Sequence, residues 1–299
     1  MTTKHYRGRF APSPTGPLHF GSLYSAVASY VDAKANHGQW LIRIEDLDPP
    51  REVAGAADEI IATLASFGLH SDEPILFQST RLEAYQAIAD ELLEHSHAYY
   101  CHCSRKQIQA TGGVYQNICR EKKLAPGKQA SDHQPMAIRL QQTSARTGFI
   151  DAIQQAYQLP KEQVGEDFII KRRDDLFAYQ LAVVADDIEQ NITHIVRGAD
   201  LIDSTLKQLT LYDALGKPYP KYAHVPMIVD QHDQKLSKQN YAPAISACDA
   251  QRYLVEVLEL LGQQPDASLV DYDCETILQW AINHWSLAKI SSQTKLSLA

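Results

Sequence analysis

The sequence lacks the features that carry a protein into or through a membrane. It contains no run of 18 apolar residues, and its first ten residues, MTTKHYRGRF, include no apolar segment of the secretory type. Cysteine is scarce, with five among 299 residues, and an odd count argues against a disulfide framework. We therefore expect a cytoplasmic, monomeric protein with no membrane partner.

An excess of basic charge is also missing from the chain as a whole. Lys and Arg number 28 against 36 Asp and Glu, and this net charge of −8 disfavours indiscriminate binding to nucleic acid. Residues 101–173 reverse the balance, with 12 Lys and Arg against 6 Asp and Glu. Either a solvated loop region or a surface that faces a polyanion fits this excess, and we favour the surface.

Short apolar runs alternate with helical periodicity over the first hundred residues. The pattern predicts strands at Tyr6–Ala11 and Trp40–Glu45, and helices from Gly21 to Asn36, over Glu52–Phe67 and over Leu82–His95. Such alternation is typical of βαβ units and predicts an α/β fold with a Rossmann-like, doubly wound parallel sheet. The predicted division is a first catalytic half at 1–98, a basic insertion at 99–173, a second half at 174–240 and a short helical region at 241–299.

A loop with three prolines separates the first predicted strand from the first helix, and His19 and Gly21 lie where that helix begins. A helix N-terminus offers unpaired N–H groups to a phosphate, and glycine allows the ligand close to the backbone. The same pattern also fits a helix that is merely capped. We interpret His19 and Gly21 as a nucleotide-binding element.

A second element, Lys235-Leu236-Ser237-Lys238-Gln239, lies in a polar loop more than 200 residues later. Two lysines three residues apart can stabilise the charge that develops on a triphosphate. Alone, the pair also fits an ordinary solvated loop. Its combination with the His-X-Gly turn is what points to nucleotide chemistry.

Three cysteines, Cys101, Cys103 and Cys119, fall within 19 residues of each other. In a reducing compartment this spacing predicts thiolate ligation of one structural Zn²⁺, which takes four tetrahedral ligands. Three unrelated thiols are the alternative. The spacing leaves the fourth ligand open among His97, His102, Tyr115 and His133.

The two nucleotide elements resemble the HIGH and KMSKS signatures of class I aminoacyl-tRNA synthetases. The stretch FAPSPTGPLHFGS is similar to the glutamyl-tRNA synthetase version, as are residues 40–46, WLIRIED, and 196–201, VRGADL. The resemblance covers residues 5–240. It departs at Phe20 and Ser22, where HIGH has Ile and His, at Gln239, and in the C-terminal region, where 59 residues are too few for an anticodon-binding domain.

The resemblance implies a role for each matching residue. His19, Gly21, Lys235 and Lys238 would be catalytic, and His19, Gly21 and Lys238 would bind ATP. The glutamate site would comprise Arg9, Phe10, Ala11, Pro12, Ser13, Glu45, Tyr179 and Arg197. Tyr115 would complete the zinc site of Cys101, Cys103 and Cys119. ATP with Mg²⁺ would be the co-substrate, since activation proceeds through an adenylate.

The family and the short C-terminal region together imply a truncated glutamyl-tRNA synthetase paralogue. Such a protein would activate L-glutamate and transfer it to queuosine in the anticodon loop of tRNA(Asp), with the basic insertion as the tRNA surface. Two alternatives remain from this pattern, a truncated synthetase that charges a tRNA 3′ end and a non-catalytic tRNA-binding paralogue. A small-molecule nucleotidyltransferase fits less well.

Overall fold

A computed structural model describes residues 5–110, 112–122, 124, 135–143, 146–159, 165–230 and 245–297. Its first third alternates strands and helices: β1 (Arg7–Phe10), α1 (Phe20–Ala35), β2 (Gln39–Ile44), α2 (Ala56–Ser66), β3 (Leu76–Phe77) and α3 (Leu82–Glu94). β1, β2 and β3 form a parallel sheet in that order. The turn after α1 needs Gly38, because a Cβ there would lie 2.6 Å from the Tyr6 carbonyl oxygen.

The middle of the chain forms two structures. Its elements are β4 (Ala98–Cys101), α4 (Arg105–Ala110), β5 (Ala137–Leu140), β6 (Gly148–Asp151), β7 (Gln155–Gln158) and β8 (Phe168–Lys171). β4, β5 and β8 make an antiparallel sheet beside the three cysteines. β6 and β7 form a hairpin instead, and β6 leaves this sheet to pair with a later strand.

The last third restores the βα order. It contains α5 (Tyr179–Glu189), β9 (His194–Gly198), α6 (Ile202–Ala214), β10 (Lys221–Val225), β11 (Met227–Val229), α7 (Ala250–Leu260), α8 (Cys274–His284) and β12 (Lys295–Ser297). β6, β10 and β9 run parallel. β9 lies beside β1, where Thr193 N–H donates to the Arg7 carbonyl at 2.9 Å. The spatial order β3-β2-β1-β9-β10-β6 thus changes direction between β1 and β9, as in a doubly wound sheet.

The main hydrophobic core lies around α1. Side chains of α1, β2 and α2 pack there with those of α7 and α8, so the C-terminal helices share the core of the first strands. Trp285, after α8, donates its indole N–H to Asp32 on α1 at 2.8 Å. In the described part of the chain no helix is both long and apolar enough to cross a bilayer.

The predicted strands and helices of the first hundred residues are present, with two differences. α2 begins at Ala56 and not Glu52, because Pro49–Arg51 form a 3₁₀ turn and Gly55, at φ 79°, precedes the helix. The β6–β7 hairpin was not predicted. Its tight turn depends on the Asp151 carboxylate, which accepts hydrogen bonds from the backbone N–H groups of Ile153 and Gln154.

Candidate functional site

A cavity of about 490 Å³ opens at the carboxyl ends of β1, β2 and β9, beside the start of α1. This is the point where the strand order changes direction, and ligands of doubly wound sheets bind there. The cavity gathers the predicted site residues that the structure describes. Those that line it are Arg9, Phe10, Ala11, Pro12, Ser13, His19, Gly21, Glu45, Tyr179 and Arg197. Lys235 and Lys238 lie outside the described residues.

The start of α1 forms one wall. His19 is the N-cap of this 16-residue helix, and its Nδ1 accepts the Ser22 N–H at 3.2 Å. Its Nε2 lies 2.9 Å from the Ser22 hydroxyl. His19 therefore caps the helix, as the simpler interpretation of the motif allowed. Because the cap directs the first N–H groups of α1 toward Gly21 and the cavity, capping and a phosphate contact are compatible.

Behind the cavity wall, buried charges neutralise one another. Arg9 lies 3.2 Å from Asp187, and Arg43 lies 2.8 Å from the same carboxylate. Burial would raise the pKa of Asp187, but Arg9 and Arg43 outweigh it and lower the pKa, so this carboxylate is ionised. The motifs did not indicate Arg43 or Asp187. The available signal was a charged residue inside the apolar strand β2, since a buried arginine requires a partner.

Glu45, at the end of β2, is the carboxylate nearest the cavity. Its Oε1 lies 3.7 Å from Arg43 Nη2 and has no hydrogen-bond partner among the described residues. Burial raises the pKa of Glu45 to about 7, with Arg43 and Arg9 opposing that shift. A cation placed beside this carboxylate would favour its ionised form.

Arg197 enters the cavity from β9 on the opposite side. Its Nε donates to His224 Nε2 at 3.0 Å, and its Nη2 donates to the Thr205 hydroxyl at 2.8 Å. The guanidinium is thus held on two of its three nitrogens. Neither His224 nor Asp151 behind it was indicated by a motif, because they come from β10 and β6, which only the folded sheet brings beside Arg197.

The three predicted zinc cysteines lie together at the edge of the antiparallel sheet. The Sγ atoms of Cys101, Cys103 and Cys119 all lie within 4.8 Å of one another. Burial, and then the neighbouring thiols of Cys119 and Cys101, raise the pKa of Cys103 to about 12, so three thiolates would need a cation between them. The cluster fits Zn²⁺, whose bonds to sulfur of about 2.3 Å place tetrahedral ligands about 3.8 Å apart.

Two of the four candidate fourth ligands contact the cysteines. The Tyr115 hydroxyl lies 3.5 Å from Cys101 Sγ and accepts the Cys119 N–H at 3.0 Å. His102 Nδ1 lies 3.4 Å from Cys119 Sγ. Of the other two, His97 lies beside the ring of His95, and His133 lies outside the described residues.

The family described as tRNA synthetases class I (E and Q), catalytic domain, matches residues 5–269. The chain belongs to this family. It is similar to the glutamyl-Q tRNA(Asp) synthetase of Photobacterium profundum, at 48% identity over 299 residues, 100% of this chain and 94% of that protein. The protein of the same name from Escherichia coli (strain K12) is 46% identical over 290 residues, 97% of this chain and 92% of that protein.

Solved synthetases of this family share the fold. The crystal structure of glutamate-tRNA synthetase from Elizabethkingia anophelis superposes with a TM-score of 0.82 at 24% identity, covering 99% of this chain and 68% of that one. A glutamate tRNA ligase from Elizabethkingia meningosepticum CCUG26117, in complex with its amino acid, gives a TM-score of 0.83 at 24% identity, over 99% and 67% of the two chains. The predicted family and fold class are confirmed.

Proposed function

We propose that this class I synthetase activates L-glutamate with ATP and transfers the glutamyl group to queuosine in the anticodon loop of tRNA(Asp). One observation carries the proposal: Arg9, Glu45 and Arg197 converge on one cavity beside the N-terminus of α1. Glutamate has two carboxylates and one ammonium group, and this site offers two cations and one anion. The relatives named glutamyl-Q tRNA(Asp) synthetase support the choice of acceptor.

In the activation step, a glutamate α-carboxylate oxygen attacks the α-phosphorus of ATP. The bond from that phosphorus to the β-phosphate oxygen breaks, which releases pyrophosphate and leaves glutamyl-adenylate. Arg9 and Arg197 would hold the carboxylates and Glu45 the ammonium, so the protein contributes mainly position and charge. The α1 N-terminus with His19 and Gly21 would hold the phosphates, and Lys235 and Lys238 would stabilise the leaving pyrophosphate. Mg²⁺ accompanies ATP as a phosphate ligand.

In the transfer step, a hydroxyl of the queuosine cyclopentenediol attacks the glutamyl carbonyl. The bond between that carbonyl and the AMP oxygen breaks, AMP leaves, and the hydroxyl proton passes to solvent or to the AMP phosphate. The acceptor must reach the same cavity. The insertion at 99–173 would contact the anticodon loop, because RNA loops are recognised through their backbone and unstacked bases.

One Zn²⁺ would be held by Cys101, Cys103, Cys119 and Tyr115 in a structural site. The four donor atoms already lie within contact distance of their neighbours. They join β4 to the segment around Tyr115 and Cys119, where the local cluster contains few apolar side chains. The ion would supply the folding energy that this small cluster lacks.

The deciding experiment is transfer of radiolabelled glutamate by the purified protein with ATP. Three acceptors separate the alternatives: tRNA(Asp) with queuosine, tRNA(Asp) with unmodified guanosine at that position, and tRNA(Glu). We expect label only on the queuosine-containing tRNA. Label on tRNA(Glu) would identify a synthetase that charges a 3′ end, and no label together with no glutamate-dependent pyrophosphate exchange would identify a non-catalytic binding protein.

A further inference from the structure

Three buried side chains form a connected row behind the cavity. Asp151 lies on β6, His224 on β10 and Arg197 on β9, and each is at most 4% exposed. Asp151 Oδ2 lies 2.6 Å from His224 Nδ1, and His224 Nε2 lies 3.0 Å from Arg197 Nε. Only Arg197 reaches the cavity, so the other two act on it from behind.

The protons in this row have one consistent arrangement. A guanidinium only donates, so His224 Nε2 must accept the Arg197 Nε–H, and Nδ1 must then carry the ring proton toward Asp151. Burial, with the positive charge of Arg197, lowers the pKa of His224 to about 4 despite the opposing effects of Asp151 and Asp200. The imidazole is therefore neutral at physiological pH, which this arrangement requires.

The row leaves one face of the guanidinium available. Nε is engaged by His224, while Nη2 donates to the Thr205 hydroxyl at 2.8 Å and to the Leu201 carbonyl at 3.3 Å. Nη1 has no hydrogen-bond partner within the described ranges. Fixing two nitrogens removes the rotamer freedom that a long side chain would otherwise lose when it binds a ligand.

We propose that His224, held in one tautomer by Asp151, is a positioning residue that presents Arg197 to a carboxylate of the bound amino acid. The inference rests on the proposed function, since it takes glutamate as the ligand of Arg197. It adds two residues, from the β6–β7 hairpin and from β10, to the determinants of amino-acid affinity.

Asp151→Asn gives the sharpest test of this tautomer. Asp151 Oδ1 accepts the backbone N–H groups of Ile153 at 2.9 Å, Gln154 at 2.8 Å and His224 at 3.1 Å. Those three donors require an acceptor, so the amide oxygen of asparagine takes that place and its NH₂ group faces His224. The ring proton must then move to Nε2, where it opposes the Arg197 Nε–H.

The measurement is kcat and KM in glutamate transfer to queuosine-containing tRNA(Asp), with glutamate and ATP varied in turn. We expect Asp151→Asn and His224→Leu to raise KM for glutamate about 10- to 100-fold, the usual effect of losing a hydrogen bond to a charged group. KM for ATP should stay within about twofold. His224→Gln should restore most of the affinity for glutamate, because its amide oxygen can take the Nε2 acceptor position.

Tyr222→Phe is the matched control. Tyr222 lies two residues from His224 on β10, is also buried, and its hydroxyl has no hydrogen-bond partner in the described structure. It should leave both KM values unchanged.

An unchanged KM for glutamate in Asp151→Asn would overturn the inference, as would a His224→Gln variant as impaired as His224→Leu. Asp151→Asn preserves side-chain size, so it decides the matter even where His224→Leu fails to fold. Failure of the unsubstituted protein to use glutamate would instead refute the proposed function, and the inference with it.

Discussion

Glu45 is buried among charges of both signs, and its environment sets the pH range in which it can bind a cation. Burial raises its pKa to about 7 in the ligand-free protein. A carboxylate that binds the glutamate ammonium must be ionised, and below this pKa the ionised fraction falls about tenfold per pH unit. We predict that kcat/KM for glutamate declines with that slope below about pH 7.

Glu45→Gln tests this cause directly. The amide is uncharged at every pH, so the variant should show a raised KM for glutamate and lose the dependence between about pH 5.5 and about pH 8. Glu59→Gln, which replaces an exposed carboxylate on α2, should retain the wild-type profile. A wild-type profile that is flat across this range would contradict the role given to Glu45.

At the scale of the element, the first turn of α1 has two functions that substitutions can separate. His19→Ala removes the cap and should lower the free energy of unfolding by about 1 kcal/mol in a urea titration. His19→Asn keeps a capping acceptor and should recover that stability. If the imidazole also contacts phosphate, the asparagine variant should still lose glutamate-dependent pyrophosphate exchange. An exchange rate equal to wild type would leave His19 as a cap alone.

The cysteine cluster makes a second prediction at this scale, about which side chain completes the zinc site. Elemental analysis of the purified protein should find one zinc per chain. Tyr115→Phe should weaken retention of the metal during dialysis against a chelator, because it removes an oxygen ligand. His102→Ala should retain it. The opposite pattern would assign the fourth position to the imidazole that lies 3.4 Å from Cys119.

For the whole molecule, the basic excess of residues 101–173 is smaller than the composition suggests. Lys171 pairs with Asp175, Arg172 with Asp174 and Asp48, and Arg146 with Asp213. Arg173 differs from its neighbours, since no described carboxylate lies within 4.0 Å of it. It lines a second pocket, of about 460 Å³, whose six described lining residues include His102 and Lys106 and no acid.

Arg173 is therefore the strongest candidate in this segment for a contact with the tRNA backbone. We predict that Arg173→Ala lowers kcat/KM for tRNA several-fold while leaving glutamate-dependent pyrophosphate exchange unchanged. The slope of log affinity against log salt should also fall by about 0.7 to about 0.9, the value for one phosphate contact. Arg172→Ala, which removes an already neutralised charge, is the control. Equal effects of the two substitutions would argue against a specific contact.

The sequence predicts local structure best where periodicity is strong. β1, α1 and β2 follow from alternating and helical apolar spacing, whereas β6 does not. Its pairing with β10 joins segments about 70 residues apart, and its inward residue, Asp151, is charged. A partner so distant in sequence leaves no periodic signal, because only the folded sheet makes that carboxylate favourable.

The site divides in the same way. Motifs indicated Arg9, Glu45 and Arg197, which meet at the ends of adjacent strands as parallel-sheet topology requires. The groups that neutralise or orient them, such as Asp187 and His224, lie on other elements and fit no motif. Each is needed because a buried charge must have a partner, and which residue supplies it depends on tertiary packing.

The pairing of β12 with β11 has a practical consequence for anyone who handles the protein. Lys295–Ser297 run parallel to Met227–Val229, and β11 leads directly into the segment that carries Lys235 and Lys238. An affinity tag or a truncation that displaces β12 would therefore disturb the attachment of a segment about 60 residues upstream. Purification handles belong at the other end of the chain, and kinetic comparisons between preparations should keep the last strand intact.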